Sequence, residues 1–183
     1  MPESPADLDA AVALLGDVTG RSVVDLGCTE PALGRRLLDD GAGGYAGLAR
    51  DDRALAAAED ALRGTAARLR EEDLDRWSGA GLGRFDAAVS LRALDRVRNL
   101  ARLFDTLFHH LRPGGRLVFS VRHPVASADP ERGYLDEDHR RFDTYVRELR
   151  YSGFSVVELA ELGAGGRPEW LVVRGQRREG STA

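Results

Sequence analysis

Four histidines are the side chains here with a pKa near neutrality, and their positions along the chain decide what chemistry they suit. His123 directly follows the apolar stretch Leu117-Val118-Phe119-Ser120-Val121, which reads as a strand. An imidazole at the carboxyl end of a strand, with an unperturbed pKa near neutrality, suits a general base. The other reading is that His123 and Pro124 shape the loop. Upstream, the apolar Val23-Val24 runs into Asp25-Leu26-Gly27-Cys28, and a helix follows from about Ala32. Such a strand–turn–helix opens many nucleotide-binding α/β units. Asp73-Leu74 lies in an acidic run with Glu71, Glu72 and Asp75, a pattern that also suits a solvated face. Ser90 ends another apolar strand. His139, beside Asp136, Glu137 and Asp138, is a weaker base candidate, because an acid-rich helix start is usually structural. His109 and His110 end a helix, where an imidazole meets free carbonyls.

Composition removes other chemistries. All 26 basic residues are arginine, which excludes a lysine Schiff base and the lysine of a phosphate-binding P-loop. Cys28 is the only cysteine, so an intrachain disulfide and a cysteine-built zinc site are excluded. A net charge of −4 gives no general drive toward nucleic acid or an anionic membrane. No apolar run is long enough to span a bilayer, and the start MPESPADLD does not read as a signal peptide, so a cytoplasmic protein is expected.

The elements that position these residues alternate along the chain. A short amphipathic helix is expected at Ala6–Gly16, a strand at Ser22–Leu26, a helix at about Ala32–Asp39 and a strand at Tyr45–Ala49. Asp51–Arg63 reads as a helix ended by Gly64, with Asp51 or Asp52 as its N-cap, and Ala66–Arg70 as a short third strand. Phe85–Ser90 is the fourth strand. Leu100, Leu103, Phe104, Leu107, Phe108 and Leu111 then repeat at helical spacing behind the N-cap Asn99. Arg112-Pro113-Gly114-Gly115 stops that helix before the fifth strand, Leu117–Val121. A polar loop over 122–138, a helix at about His139–Arg150 and an antiparallel pair, Gly153–Val157 with Trp170–Val173, complete the chain. One domain over 1–178 with a loose tail at 179–183 is the expected organisation.

The order of these elements resembles the class I S-adenosylmethionine-dependent methyltransferases, as do several phrases. SVVDLGCTEPALG resembles their first motif, roughly hhDhGxGxG, and FDAAVSLRALDRV their fourth. LRPGGRLVFSV resembles the strand after a Pro-Gly-Gly turn, and SVRHP followed by HRRFDTYVRELRYSGF is similar to a subgroup of small bacterial members. The resemblance implies a Rossmann-like, seven-stranded, mostly parallel α/β sheet with helices on both faces and a C-terminal antiparallel strand pair. It implies S-adenosyl-L-methionine as cofactor, held by the positions of Asp25, Gly27, Cys28, Thr29, Ala49, Asp73, Leu74 and Ser90, with His123 beside the methyl group. Trp77 would stack on adenine or belong to the core.

Three positions depart from that pattern. Thr29 and Pro31 replace the second and third glycines; as structural residues they would cap the next helix and fill its first turn. Ala49 stands where an acid should accept the ribose hydroxyls; Asp51 or Asp52 would reach back to them or, more simply, cap the next helix. The expected function is methyl transfer to a small molecule with weakened cofactor binding. The alternatives are a catalytically inactive partner or regulatory subunit, or a cofactor-independent cyclase or isomerase on the same fold. About twenty residues precede the first strand, so the site is expected to be open, suited to a large substrate or closed by a protein partner or a second copy. Arg92, Arg96 and Arg98 would meet an acidic partner or form a solvated face.

Overall fold

A computed structural model describes residues 6–128, 131–132, 134–135 and 140–179. Seven strands form one sheet in the order β3-β2-β1-β4-β5-β7-β6. The central strands β1 (Ser22–Gly27), β2 (Gly44–Ala49) and β4 (Phe85–Leu91) are buried at nearly every position. Helices cover both faces, so these strands read as continuous apolar runs rather than alternating ones. β3 (Arg68–Glu71) pairs parallel with β2, and β4 pairs parallel with β5 (Leu111–Arg122). β7 (Arg167–Arg177) runs antiparallel to both β5 and β6 (Phe154–Ala164).

Two apolar layers hold the sheet. On one face Val23, Ala87, Val89, Val118 and Val172 pack under α1 (Ala6–Leu15) and α2 (Pro31–Asp39). On the other, Val24, Leu26, Ala88 and Phe119 meet α4 (Leu100–His110) and α6 (Phe142–Tyr151). Among the described residues the other α-helices are α3 (Asp52–Ala61) and the short α5 (Pro124–Ser127), and a 3-10 turn spans Leu94–Arg96. No described helix is long and apolar enough to cross a membrane.

Two caps stand where the sequence places them: Asn99 accepts from Arg102 N–H at 3.0 Å, and Asp51 accepts from Ala54 N–H at 2.8 Å. Thr29 does not cap α2. Glu30 holds the N-cap position without a side-chain bond, and Pro31 opens the first turn. The final strands run to 11 residues each, longer than expected, because Gly165 and Gly166, both at positive φ, close a two-residue hairpin. α5 interrupts the expected polar loop. His139 lies outside the described residues.

Candidate functional site

The strand order reverses between β1 and β4, and such a switch point leaves a crevice at the carboxyl ends of the strands. The β1–β4 ladder ends at Asp25 opposite Val89. Beyond it the strands part, and two hydroxyls bridge the gap. Ser90 Oγ, fully buried, donates to the Leu26 carbonyl at 2.7 Å, and Thr29 Oγ1 donates to the Leu91 carbonyl at 2.8 Å. Gly27 lies between them at φ +98°; a Cβ there would sit 2.3 Å from Ala93 Cβ, so the loop after β4 rests directly on this turn. Cys28 follows at φ +30°, a conformation costly for a residue with a side chain.

Beneath the turn is a buried polar group. The Tyr45 hydroxyl donates to Asp25 Oδ2 at 2.6 Å and lies 3.5 Å from Cys28 Sγ. Because the phenol proton goes to Asp25, the thiol is the donor in the second contact. Burial pushes the Asp25 carboxyl up to about 7, outweighing the Tyr45 hydroxyl and the Cys28 N–H that favour its charged form. Burial, then the neighbouring Asp25, pushes the Cys28 thiol up to about 12. A thiol held protonated in this way is no nucleophile. Neither Asp25 nor Cys28 lines the cleft above.

That cleft encloses about 130 Å³. Gly27 and Thr29 form one wall, Asp73 and Leu74 a second, and Arg92 and Ala93 a third. Asp73 turns one carboxylate oxygen onto the Asp75 N–H at 3.0 Å. Ala49 is buried at the end of β2, with its carbonyl accepting from Glu72 N–H at 2.8 Å. The next residue, Arg50, reaches the cleft and pairs with Asp51 at 3.0 Å. Trp77 belongs to the core, 5.9 Å from the His110 ring, and does not line the cleft.

Arg92 is the side chain that sequence reading placed least well. Its backbone is at φ +57°, and its Nε donates to Asp7 Oδ2 at 2.9 Å, with Nη2 also on that carboxylate. Asp7, fully buried in the first turn of α1, also accepts from Ser120 Oγ at 2.9 Å. Burial alone would raise the Asp7 carboxyl, but these donors hold it below the usual range. The Arg92 guanidinium lies over the Trp170 ring, 4.6 Å from its centroid. Arg98 pairs with Asp75 at 3.3 Å, and Arg96 lines the cleft. Asp7 carried no signal in the sequence, because its partner is 85 positions away.

His123 is 4% exposed and lies off the cleft lining. Its Nδ1 accepts from Val125 N–H at 3.2 Å, which caps α5. That assigns the ring proton to Nε2, 2.8 Å from Glu161 Oε1. Both ring nitrogens are therefore committed within the fold.

Residues 4–162 match a family model described as a methyltransferase domain. Among solved structures, an S-adenosylmethionine-dependent methyltransferase from Mesorhizobium loti is similar, with 28% identity and a TM-score of 0.80, covering 95% of this chain and 99% of that one. A structure described as a putative S-adenosylmethionine-dependent methyltransferase from Listeria monocytogenes is 20% identical with a TM-score of 0.83, covering 94% and 98%. A methyltransferase described as putative, solved in complex with the Haloferax volcanii activator Trm112, is 18% identical with a TM-score of 0.80, covering 96% and 90%. None of the curated proteins matches the sequence at a significant level.

Proposed function

The chain belongs to the methyltransferase-domain family, and from that premise we propose that its cleft binds S-adenosylmethionine weakly and serves methyl transfer to a small molecule. The observation that carries this reading is the position of the cleft, at the switch point between Gly27 and the Asp73–Leu74 loop. The nucleoside end of the cofactor fits the residues present: Leu74 offers an apolar wall and Asp73 a carboxylate oxygen. The methionine end fits only after rearrangement. The cleft encloses about 130 Å³, against roughly 300–1,000 Å³ for small-molecule sites, and the Thr29–Leu91 bridge closes it on that side. Breaking that hydrogen bond costs about 0.5–1.5 kcal/mol, and the carboxylate missing at Ala49 forgoes roughly 1.5–3 kcal/mol per hydrogen bond. Each 1.4 kcal/mol weakens binding about tenfold.

When bound, the cofactor supplies an electrophilic methyl group. The chain's own part is to hold and orient. Gly27, at positive φ and without a Cβ, lets Ala93 and the loop after β4 close against the turn that forms the cleft wall, Leu74 supplies an apolar wall, and the Asp7–Arg92 pair ties α1 to that loop. No histidine is among the described residues lining the cleft, and both His123 nitrogens are engaged. The acceptor on this reading is a group nucleophilic without a base, such as a thiolate, a carboxylate or an unprotonated amine.

The bridged crevice favours a second reading: a non-catalytic partner or regulatory subunit, or a cofactor-independent enzyme. Calorimetric titration with S-adenosylmethionine and its demethylated product separates the two. Binding at roughly 100 μM or tighter supports the first. Absence of binding at millimolar ligand overturns it and leaves the second.

A further inference from the structure

The opposite end of the central strands, away from their carboxyl ends and the cleft, carries another cavity. On the face covered by α1, the apolar layer of Val23, Val118 and Val172 gives way, toward the amino ends of β1 and β5, to arginine. Register places Arg116 of β5 opposite Gln176 of β7, and Arg174 opposite Val118. Arg21, Arg112, Arg116 and Arg174 together line a polar cavity of about 250 Å³.

Their charges are unequally met. Arg112 is neutralised by Asp86 at 2.8 Å. Arg116 spends one nitrogen on the Leu15 carbonyl, a neutral acceptor. Arg174 Nε is buried with no hydrogen-bond partner, and no ion pair among the described residues neutralises Arg21, Arg116 or Arg174. Burial first, then the charges of Arg21 and Arg174, hold the Arg116 guanidinium below its usual range, although Asp17 partly offsets this. Three guanidiniums sharing one cavity repel one another unless an anion lies between them, and the planar fork of arginine matches the oxygens of phosphate.

We propose that this cavity binds a phosphate-sized oxyanion: free phosphate, or the phosphate group of a small monoester. Two carboxylates also line the cavity, Asp86 (already paired with Arg112) and the exposed Glu179; with the chain's net charge of −4 they weigh against an extended polyanion, which needs a broad basic face. The site is independent of the cofactor cleft, so its occupancy does not depend on whether methyl transfer occurs.

The test is thermal denaturation at fixed ionic strength with inorganic phosphate or glycerol 3-phosphate replacing chloride, alongside amide NMR. The expected result is a saturable rise in melting temperature, with shifts at Gly114 and Gly115 and none at Thr29 or Asp73. Arg174→Met is expected to weaken the response about tenfold or more. This variant removes a repelling charge and keeps an apolar stem; Arg21→Gln, at a half-buried position, repeats the test should Arg174→Met fail to fold. Equal affinities for the two ligands assign the site to free phosphate, and tighter binding of glycerol 3-phosphate assigns it to an ester. No saturable rise, shifts confined to the cleft, or folded variants that respond like the wild type overturn the proposal.

Discussion

Thr29 Oγ1 and the main-chain carbonyl of Leu91 are joined by a 2.8 Å hydrogen bond that spans the gap where β1 and β4 part. If this bridge limits cofactor entry, Thr29→Gly opens the crevice. We expect S-adenosylmethionine to bind about tenfold tighter, with a loss of fold stability of about 1 kcal/mol. Thr29→Ser keeps the donor and should bind like the wild type. Parallel calorimetric titrations check both, and an unchanged affinity in Thr29→Gly removes the bridge as the obstruction.

Asp25 gives a pH dependence of unusual sign for a carboxylate. Its folded pKa of about 7 lies above the ordinary 3.8, so the folded state binds the proton more tightly than the unfolded state does. The stabilising contribution is full below about pH 4 and is lost as pH rises through about 7. Asp25→Asn removes this term. Melting curves should find the variant gaining on the wild type by on the order of 1 kcal/mol per pH unit across that window, with a constant difference above it.

The Asp7 carboxylate is fully buried and its partner Arg92 is 31% exposed, so truncating the acid strands a partly solvated cation. Complete burial of such a pair would make the loss about 3–5 kcal/mol; solvent screening at Arg92 reduces the expectation for Asp7→Ala to about 2 kcal/mol. Chemical denaturation measures it. A change below about 0.5 kcal/mol would show that α1 is held by its apolar face alone.

His123→Asn places an amide oxygen near the position of Nδ1 and so preserves an acceptor for the Val125 N–H. If the ring only shapes the segment, any methyl transfer should stay within about threefold of wild type, whereas loss of a general base lowers the rate about 10²–10⁴-fold. Rates measured across neutral pH distinguish the two, because only a base leaves a titration in the profile.

The scaffold was legible because its signals are local. Apolar runs marked the central strands, and Asn99 three residues before Arg102 marked the start of α4. The site was less so, because its decisive contacts are distant in sequence. Thr29 reads locally as a helix cap, yet its partner is 62 residues away; Arg92 reads as a solvated charge, yet Asp7 is 85 residues away. Ala49 identified the missing carboxylate, but nothing beside it indicated that Arg50 would turn toward the cleft. The lengths of β6 and β7 were not legible, because only their apolar segments 153–157 and 170–173 stand out in the sequence, whereas the charged stretch between them is held as strand by the hairpin at Gly165-Gly166.

The Arg92–Trp170 stack has an optical consequence. The chain has two tryptophans, and they stand in unlike surroundings: Trp77 is sealed in the core, while Trp170 is half-buried with a cleft-lining guanidinium on its face. A ligand that draws Arg92 toward itself changes what covers the Trp170 indole and leaves Trp77 as an internal standard. The protein thus carries its own fluorescent reporter of cleft occupancy, with no label required.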